Sequence, residues 1–150
     1  MPEIQESEIR NLTREWLQEN WDPDLSLLEW RKRLVAERWA VPSWPQTWFG
    51  RDYPVWADEI ARSEILRAGA VSTPIGAGMN LAAPTILKHG GEDQKKRFLE
   101  SALTGKESWC QLFSEPGAGS DLAGLTTQAQ LDGDEWVVSG QKVWNTSAHH

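Results

Sequence analysis

The sequence predicts an α+β chain. It reads as an all-α helical domain over residues 1–105, followed over 106–150 by the first strands of an antiparallel β-barrel-like domain, left incomplete. Three observations carry this. Apolar residues recur at helical spacing from Ile9 to Leu103. At Thr104-Gly105-Lys106 that spacing gives way to alternation with a period of two. The roughly 45 residues that follow are too few for a closed sandwich or barrel, which usually takes about 100, so the chain is expected to stop within a domain.

The helices follow in order. Residues 7–20 place Ile9, Leu12, Trp16 and Leu17 on one face, with Ser7 as the expected cap. Asp22-Pro23-Asp24 breaks the chain. A second helix starts near Ser26, with Glu29 three residues later as a capping-box partner, and buries Leu27, Trp30, Leu34 and Val35. Val41 to Pro54 is too rich in proline for regular helix and too aromatic to be left in water, so it reads as an ordered loop over the helices. A third helix runs from about Val55 to Arg67 with Ile60, Ala61, Ile65 and Leu66 inward. A fourth, near Met79 to Lys88, is interrupted or kinked at Pro84, and a fifth spans Glu92 to Leu103 with Phe98, Leu99 and Leu103 inward. Strands are expected at 108–113, about 125–131, 135–139 and 141–144, with Asp132-Gly133-Asp134 as a tight turn.

Composition narrows the function classes. Twenty-two acidic against 15 basic residues give a formal charge of -7, which disfavours non-specific nucleic-acid binding. No apolar run approaches the roughly 20 residues of a membrane span. The start, Met-Pro-Glu-Ile-Gln-Glu, is too acidic for a signal or transit peptide. One cysteine, Cys110, excludes an internal disulfide and reads as a small core residue of the first strand. The expectation is a cytoplasmic protein. Seven of ten tryptophans lie between Trp16 and Trp56, either as core for short helices or as faces toward a second domain or subunit. His149 and His150 are adjacent and read as ordinary residues rather than a metal pair.

Two stretches carry chemistry. Ser108 to Ser120 runs as a strand and stops at Glu115-Pro116, where Gly117 and Gly119 permit backbone angles other residues avoid. Successive N–H groups of such a loop can converge on an anion, with the Ser120 hydroxyl added. Gly-x-Gly-x-x-Gly lacks its third glycine here and no helix follows, so this is not a dinucleotide fingerprint. On spacing alone it is a β-turn or a ligand loop. The second stretch, Lys142 to Ser147, sets the flat apolar Trp144 beside Asn145, Thr146 and Ser147, a pairing that suits a flat heteroaromatic ligand with polar edges, or a core Trp at a strand end.

Ser114-Glu-Pro-Gly-Ala-Gly-Ser-Asp-Leu-Ala-Gly124, followed by Trp136-Val-Val-Ser-Gly-Gln-Lys-Val-Trp144, closely resembles the acyl-CoA dehydrogenase family. The matching block runs from about Lys88 to Ser147, and the preceding helices agree in number and order. The resemblance implies a helical N-terminal domain, a middle β-domain and a C-terminal helical domain. It implies FAD as cofactor and oxidation of an acyl-CoA to its trans-2-enoyl form, with hydride passing to flavin N5. By position, Gln111, Phe113, Ser114, Gly119, Ser120, Trp144, Asn145 and Thr146 would bind the cofactor. The Phe113 backbone and Ser114 hydroxyl would meet the pyrimidine edge, Ser120 the pyrophosphate or the acyl-CoA, Trp144 the ring system, and Thr146 the neighbourhood of N5.

Glu115 reads as a structural carboxylate fixing the turn. The family's catalytic base is a glutamate of the C-terminal domain, so the resemblance places no base in these 150 residues and expects the chain alone to be inactive. Gln111 stands where an aromatic or apolar residue is usual, and Asn145-Thr146-Ser147 where an aliphatic residue, Thr and Asn are usual. The resemblance further implies an electron-transfer flavoprotein or another electron acceptor as partner, and a homo- or hetero-oligomer. Alternative readings are a flavin monooxygenase or nitroalkane oxidase of the same fold, or a non-catalytic subunit or fragment of a heteromeric complex.

Overall fold

The first helix, α1 (Glu6–Asn20), is capped two residues earlier than its sequence suggests. Gln5 holds the N-cap position, and Ser7 lies inside the first turn. Glu6 and Glu8 in that turn suit the positive end of the helix dipole. Ser26 caps α2 (Leu27–Ala36) in the expected capping box with Glu29, satisfying two otherwise orphaned amides. The molecule is described here by a computed structural model, over residues 4–146 and 148. It divides into two compact units, Met1–Ser108 and Trp109–His150.

In the first unit the loop after α2 is ordered by its own backbone. Pro42 O accepts from Arg51 N and Tyr53 N, and Trp44 O from Asp52 N. Ser43 donates N–H and Oγ–H to Asp58 at 2.7 and 2.6 Å, clamping the loop to the first turn of α3 (Trp56–Arg67). Gly50 is required: a Cβ there would overlap the Trp44 carbonyl. A π-helical turn, Gly78–Ala82, leads into α4 (Ala83–His89). The interruption expected at Pro84 thus falls just upstream of it, where the widened turn precedes a residue with no amide to donate. Helix α5 (Glu92–Thr104) ends at Gly105, in the left-handed conformation with φ 74°.

The core is built from indoles as much as from aliphatics. Ile9, Leu17, Trp30, Leu34, Trp39, Ala57, Ile60, Ala61 and Ile65 are buried together, with Trp16 and Trp21 packed against them. Trp21 meets Trp30 edge-to-face at 4.6 Å, and Trp16 lies 5.7 Å from Trp30. Trp30 also donates to Val71 O at 2.6 Å. These four tryptophans are core.

Two inward assignments are corrected. Leu66 is 52% exposed and Leu27 49%. On α3 the inward place falls to Glu64, whose side chain is 2% exposed and ion-paired to Arg10 and Arg14 of α1 and to Arg67.

The second unit holds a hairpin, β1 (Gln128–Asp132) with β2 (Glu135–Ser139), antiparallel and in register from Gln128↔Ser139 to Asp132↔Glu135. Gly133 takes φ 60° at the first position of the two-residue turn, as a tight hairpin requires. Leu131 pairs with Trp136 and Ala129 with Val138, so one face is apolar. The chain is therefore a helical unit followed by two antiparallel strands in an open sheet, the predicted α+β class, incomplete.

Three local expectations are corrected. The segments 108–113 and 141–144 are not strands; a strand needs a neighbour along its length, and the described residues supply them only isolated bonds. Cys110 is consequently exposed and is not a core residue. Gly117 and Gly119 do not lie in the left-handed region, so Pro116-Gly117 makes its turn with ordinary backbone angles. Ser147, His149 and His150 lie outside the described residues.

Candidate functional site

The Pro116-Gly117 turn is closed by a reciprocal pair of backbone bonds, Glu115 N to Ala118 O at 2.9 Å and Ala118 N to Glu115 O at 3.1 Å. It buries Ala118 and the Glu115 side chain. That carboxylate is fully engaged. Thr126 donates its amide at 2.7 Å and its hydroxyl at 2.8 Å, Thr127 its amide at 2.9 Å, and Lys142 its ammonium at 2.8 Å. The bond from Lys142, supported by those of Thr127 and Thr126, holds the Glu115 carboxyl far below the usual carboxylate range. It stays ionised and has no free lone pair directed at a substrate. Glu115 is a structural anchor, as its sequence position suggests.

Lys142 spends a second donor on Phe113 O at 3.0 Å, and Val143 N donates to Ser114 O at 3.0 Å. Phe113 and Ser114 are thereby held beside the segment that continues into Trp144. At Trp144 the backbone turns through φ 61°, a conformation uncommon for a bulky residue and enriched at functional sites. Thr146 N closes back on Trp144 O at 3.1 Å. The Trp144 side chain is 90% exposed, and Phe113 also lies open. Asn145 Oδ1 is buried and meets no donor among the described residues, although a buried carbonyl normally has one.

The eight sequence-predicted residues thus divide. Phe113 and Ser114 are bonded to Lys142 and Val143, the residues just before Trp144. Gln111, Gly119 and Ser120 are exposed, and no hydrogen bond between described residues ties them to Trp144, Asn145 or Thr146. Thr126, Thr127 and Lys142 are the residues that sequence reasoning missed. Their shared acceptor, Glu115, lies 11 to 27 residues away along the chain, where spacing gives no signal. An open indole followed by a buried side-chain carbonyl that meets no donor among the described residues fits a flat heteroaromatic with an N–H on its edge. Among the described residues no group of acidic, His or Cys side chains is arranged to hold a metal, and no helix is long and apolar enough to cross a membrane.

A helical unit followed by an antiparallel hairpin, with a Glu-Pro-Gly turn pinned to the segment before an open indole, has its counterpart in a known family. Residues 2–106 match the acyl-CoA dehydrogenase N-terminal domain, and residues 110–150 the acyl-CoA dehydrogenase middle domain. The chain belongs to the acyl-CoA dehydrogenase family.

It is 36% identical over 159 residues to acyl-CoA dehydrogenase IpdE1 of Mycobacterium tuberculosis, covering 95% of this chain and 41% of that protein. The ChsE4-ChsE5 complex of Mycobacterium tuberculosis superposes with a TM-score of 0.61 at 32% identity, over 96% of this chain and 38% of that one. A glutaryl-CoA dehydrogenase of Mycobacterium smegmatis in complex with FADH2 shares the fold, with a TM-score of 0.54 at 23% identity over 93% of this chain and 38% of that one. The chain spans about two fifths of the length of these relatives.

Proposed function

We propose that the protein carrying this chain is a flavin-dependent oxidoreductase that removes hydrogen from the α and β carbons of an acyl-CoA thioester. In this reading residues 1–105 are the N-terminal helical domain and 106–150 the start of the middle β-domain. FAD, when bound, supplies a hydride acceptor at N5. What supports the reading is the clasp of residues 113–115 with 142–143, followed directly by an open Trp144 and by an Asn145 Oδ1 that meets no donor among the described residues.

Each residue then has a task. Trp144 offers its face to the ring system and excludes water from it. Phe113, through its backbone, and Ser114, through its hydroxyl, bind the polar pyrimidine edge, with Asn145 Oδ1 as an acceptor for an N–H. Thr146 donates near N5, steadying charge that develops there on reduction. Gly119 leaves the backbone open to a phosphate, and Ser120 adds a hydroxyl for the pyrophosphate or the acyl-CoA. Gln111 lines the same segment. None of residues 1–150 takes the α-proton; a glutamate elsewhere in the whole protein does so. Electrons leave to an electron-transfer flavoprotein or another acceptor. The whole protein works as a homo- or hetero-oligomer in the cytoplasm.

The test is direct. The protein as encoded is purified and its absorbance near 450 nm recorded, then repeated for Thr146→Ala and Trp144→Ala. Bound flavin in the parent and weakened binding in both variants is the expected result; a colourless parent whose apo-form takes up no FAD overturns the cofactor assignment.

A further inference from the structure

The ammonium of Lys142 is shared between two acceptors on different parts of the turn, Glu115 Oε1 at 2.8 Å and Phe113 O at 3.0 Å. Its side chain is 18% exposed and that of Glu115 4%. A buried ion pair is a poor device for stability alone, because an apolar side chain of similar length packs as well without losing hydration. What a lysine supplies here and a methionine cannot is direction. Its bond fixes the plane of the Phe113–Ser114 peptide, and in a trans peptide the carbonyl and the following amide point opposite ways. With Phe113 O drawn to Lys142, the Ser114 N–H is aimed away from it, and it donates to nothing among the described residues. The Ser114 carbonyl is taken by Val143 N. One free donor is thus presented at the edge of the site, in an orientation set from 29 residues away.

We propose that Lys142 is a positioning residue: anchored on Glu115, it orients the Phe113–Ser114 peptide and fixes the register of that segment against residues 143–146, so that both present donors to one flavin edge. This rests on the flavin reading above. Lys142 itself touches neither flavin nor substrate.

The experiment compares Lys142→Met, Lys142→Arg and Glu115→Gln in the protein as encoded. FAD affinity is measured by titrating the apo-protein, together with the flavin absorption spectrum and amide exchange over residues 113–118 and 142–146. Lys142→Met and Glu115→Gln are expected to weaken FAD binding at least tenfold and to move the flavin absorption maximum. Lys142→Arg is expected to recover affinity to within about threefold of the parent. Parent-like affinity and spectrum in Lys142→Met overturn the proposal. So does collapse of the fold in Lys142→Met without recovery in Lys142→Arg, which would make the residue merely structural. If the parent binds no flavin, the flavin reading fails by itself, and exchange decides the positioning claim. Faster exchange of both segments in Lys142→Met sustains it, and unchanged exchange ends it.

Discussion

The Val143 amide donates to the Ser114 carbonyl at 3.0 Å. This bond joins the two segments whose side chains the flavin reading uses. Substitution at Val143 tests the bond. Val143→Pro is expected to lower FAD affinity at least tenfold, since proline cannot donate and also restricts residue 142. Val143→Ala keeps the N–H and should stay within about threefold of the parent. Apo-protein titration with FAD measures both, and equal affinities would remove this bond from the account.

Trp144 separates binding from folding. Its side chain is 90% exposed, so Trp144→Ala should change unfolding free energy by less than about 0.5 kcal/mol. An aromatic surface lost from a stacked ligand costs on the order of 1–2 kcal/mol, or about tenfold in FAD affinity. Urea denaturation of the apo-protein and FAD titration read the two effects apart.

Glu64 is the electrostatic hinge of the helical unit, accepting from Arg10 at 2.9 Å, Arg14 at 2.7 Å and Arg67 at 3.1 Å. Truncating one member of a buried pair costs about 3–5 kcal/mol. Here the arginines remain partly open to water, and solvent reduces that penalty. Glu64→Gln is expected to destabilise the unit by about 2 kcal/mol and Glu64→Leu by no less, both read from urea midpoints at constant slope. A variant as stable as the parent would show that the cluster contributes nothing net.

The pH dependence follows from the same carboxylates. Bonds from Arg14, then Arg10 and the charges around them, hold the Glu64 carboxyl below its ordinary value, and Lys142 does the same for Glu115. A carboxyl with a depressed folded pKa stabilises the fold fully above its unfolded value. That contribution is lost as pH falls through the folded one. Stability should therefore hold from pH 7 to about 5 and decline below, and Glu64→Gln should flatten the decline in the helical unit. Asp58 works the other way, since burial raises its carboxyl against the opposing bonds from Ser43; its ionised form opposes folding at neutral pH. Urea midpoints between pH 7 and pH 3 test this, and identical slopes in parent and Glu64→Gln would contradict it.

What could be read from the sequence was local. Ser26 and Glu29 announce their helix within four residues, and Pro116-Gly117 announces its turn within two. Glu64 was hidden because its partners Arg10 and Arg14 come from another helix, although its place four residues after Ile60 put it on the apolar stripe. Strands were expected at 108–113 and 141–144, but pairing is a property of two segments, and here it reduces to isolated bonds. Cys110 was misplaced for the same reason: without a ladder there is no buried face for it. Lys142 was missed as a site-forming residue because its acceptor lies 27 residues back, where spacing carries no signal.

The proposed reaction is dehydrogenation of an acyl-CoA thioester by a flavin bound through residues of 111–120 and 144–146. Anaerobic addition of acyl-CoA to the flavin-loaded whole protein tests it most directly. Loss of the 450 nm band without oxygen and appearance of the enoyl-CoA are expected; a flavin that stays oxidised across short, long and ring-bearing acyl-CoAs rules the reaction out.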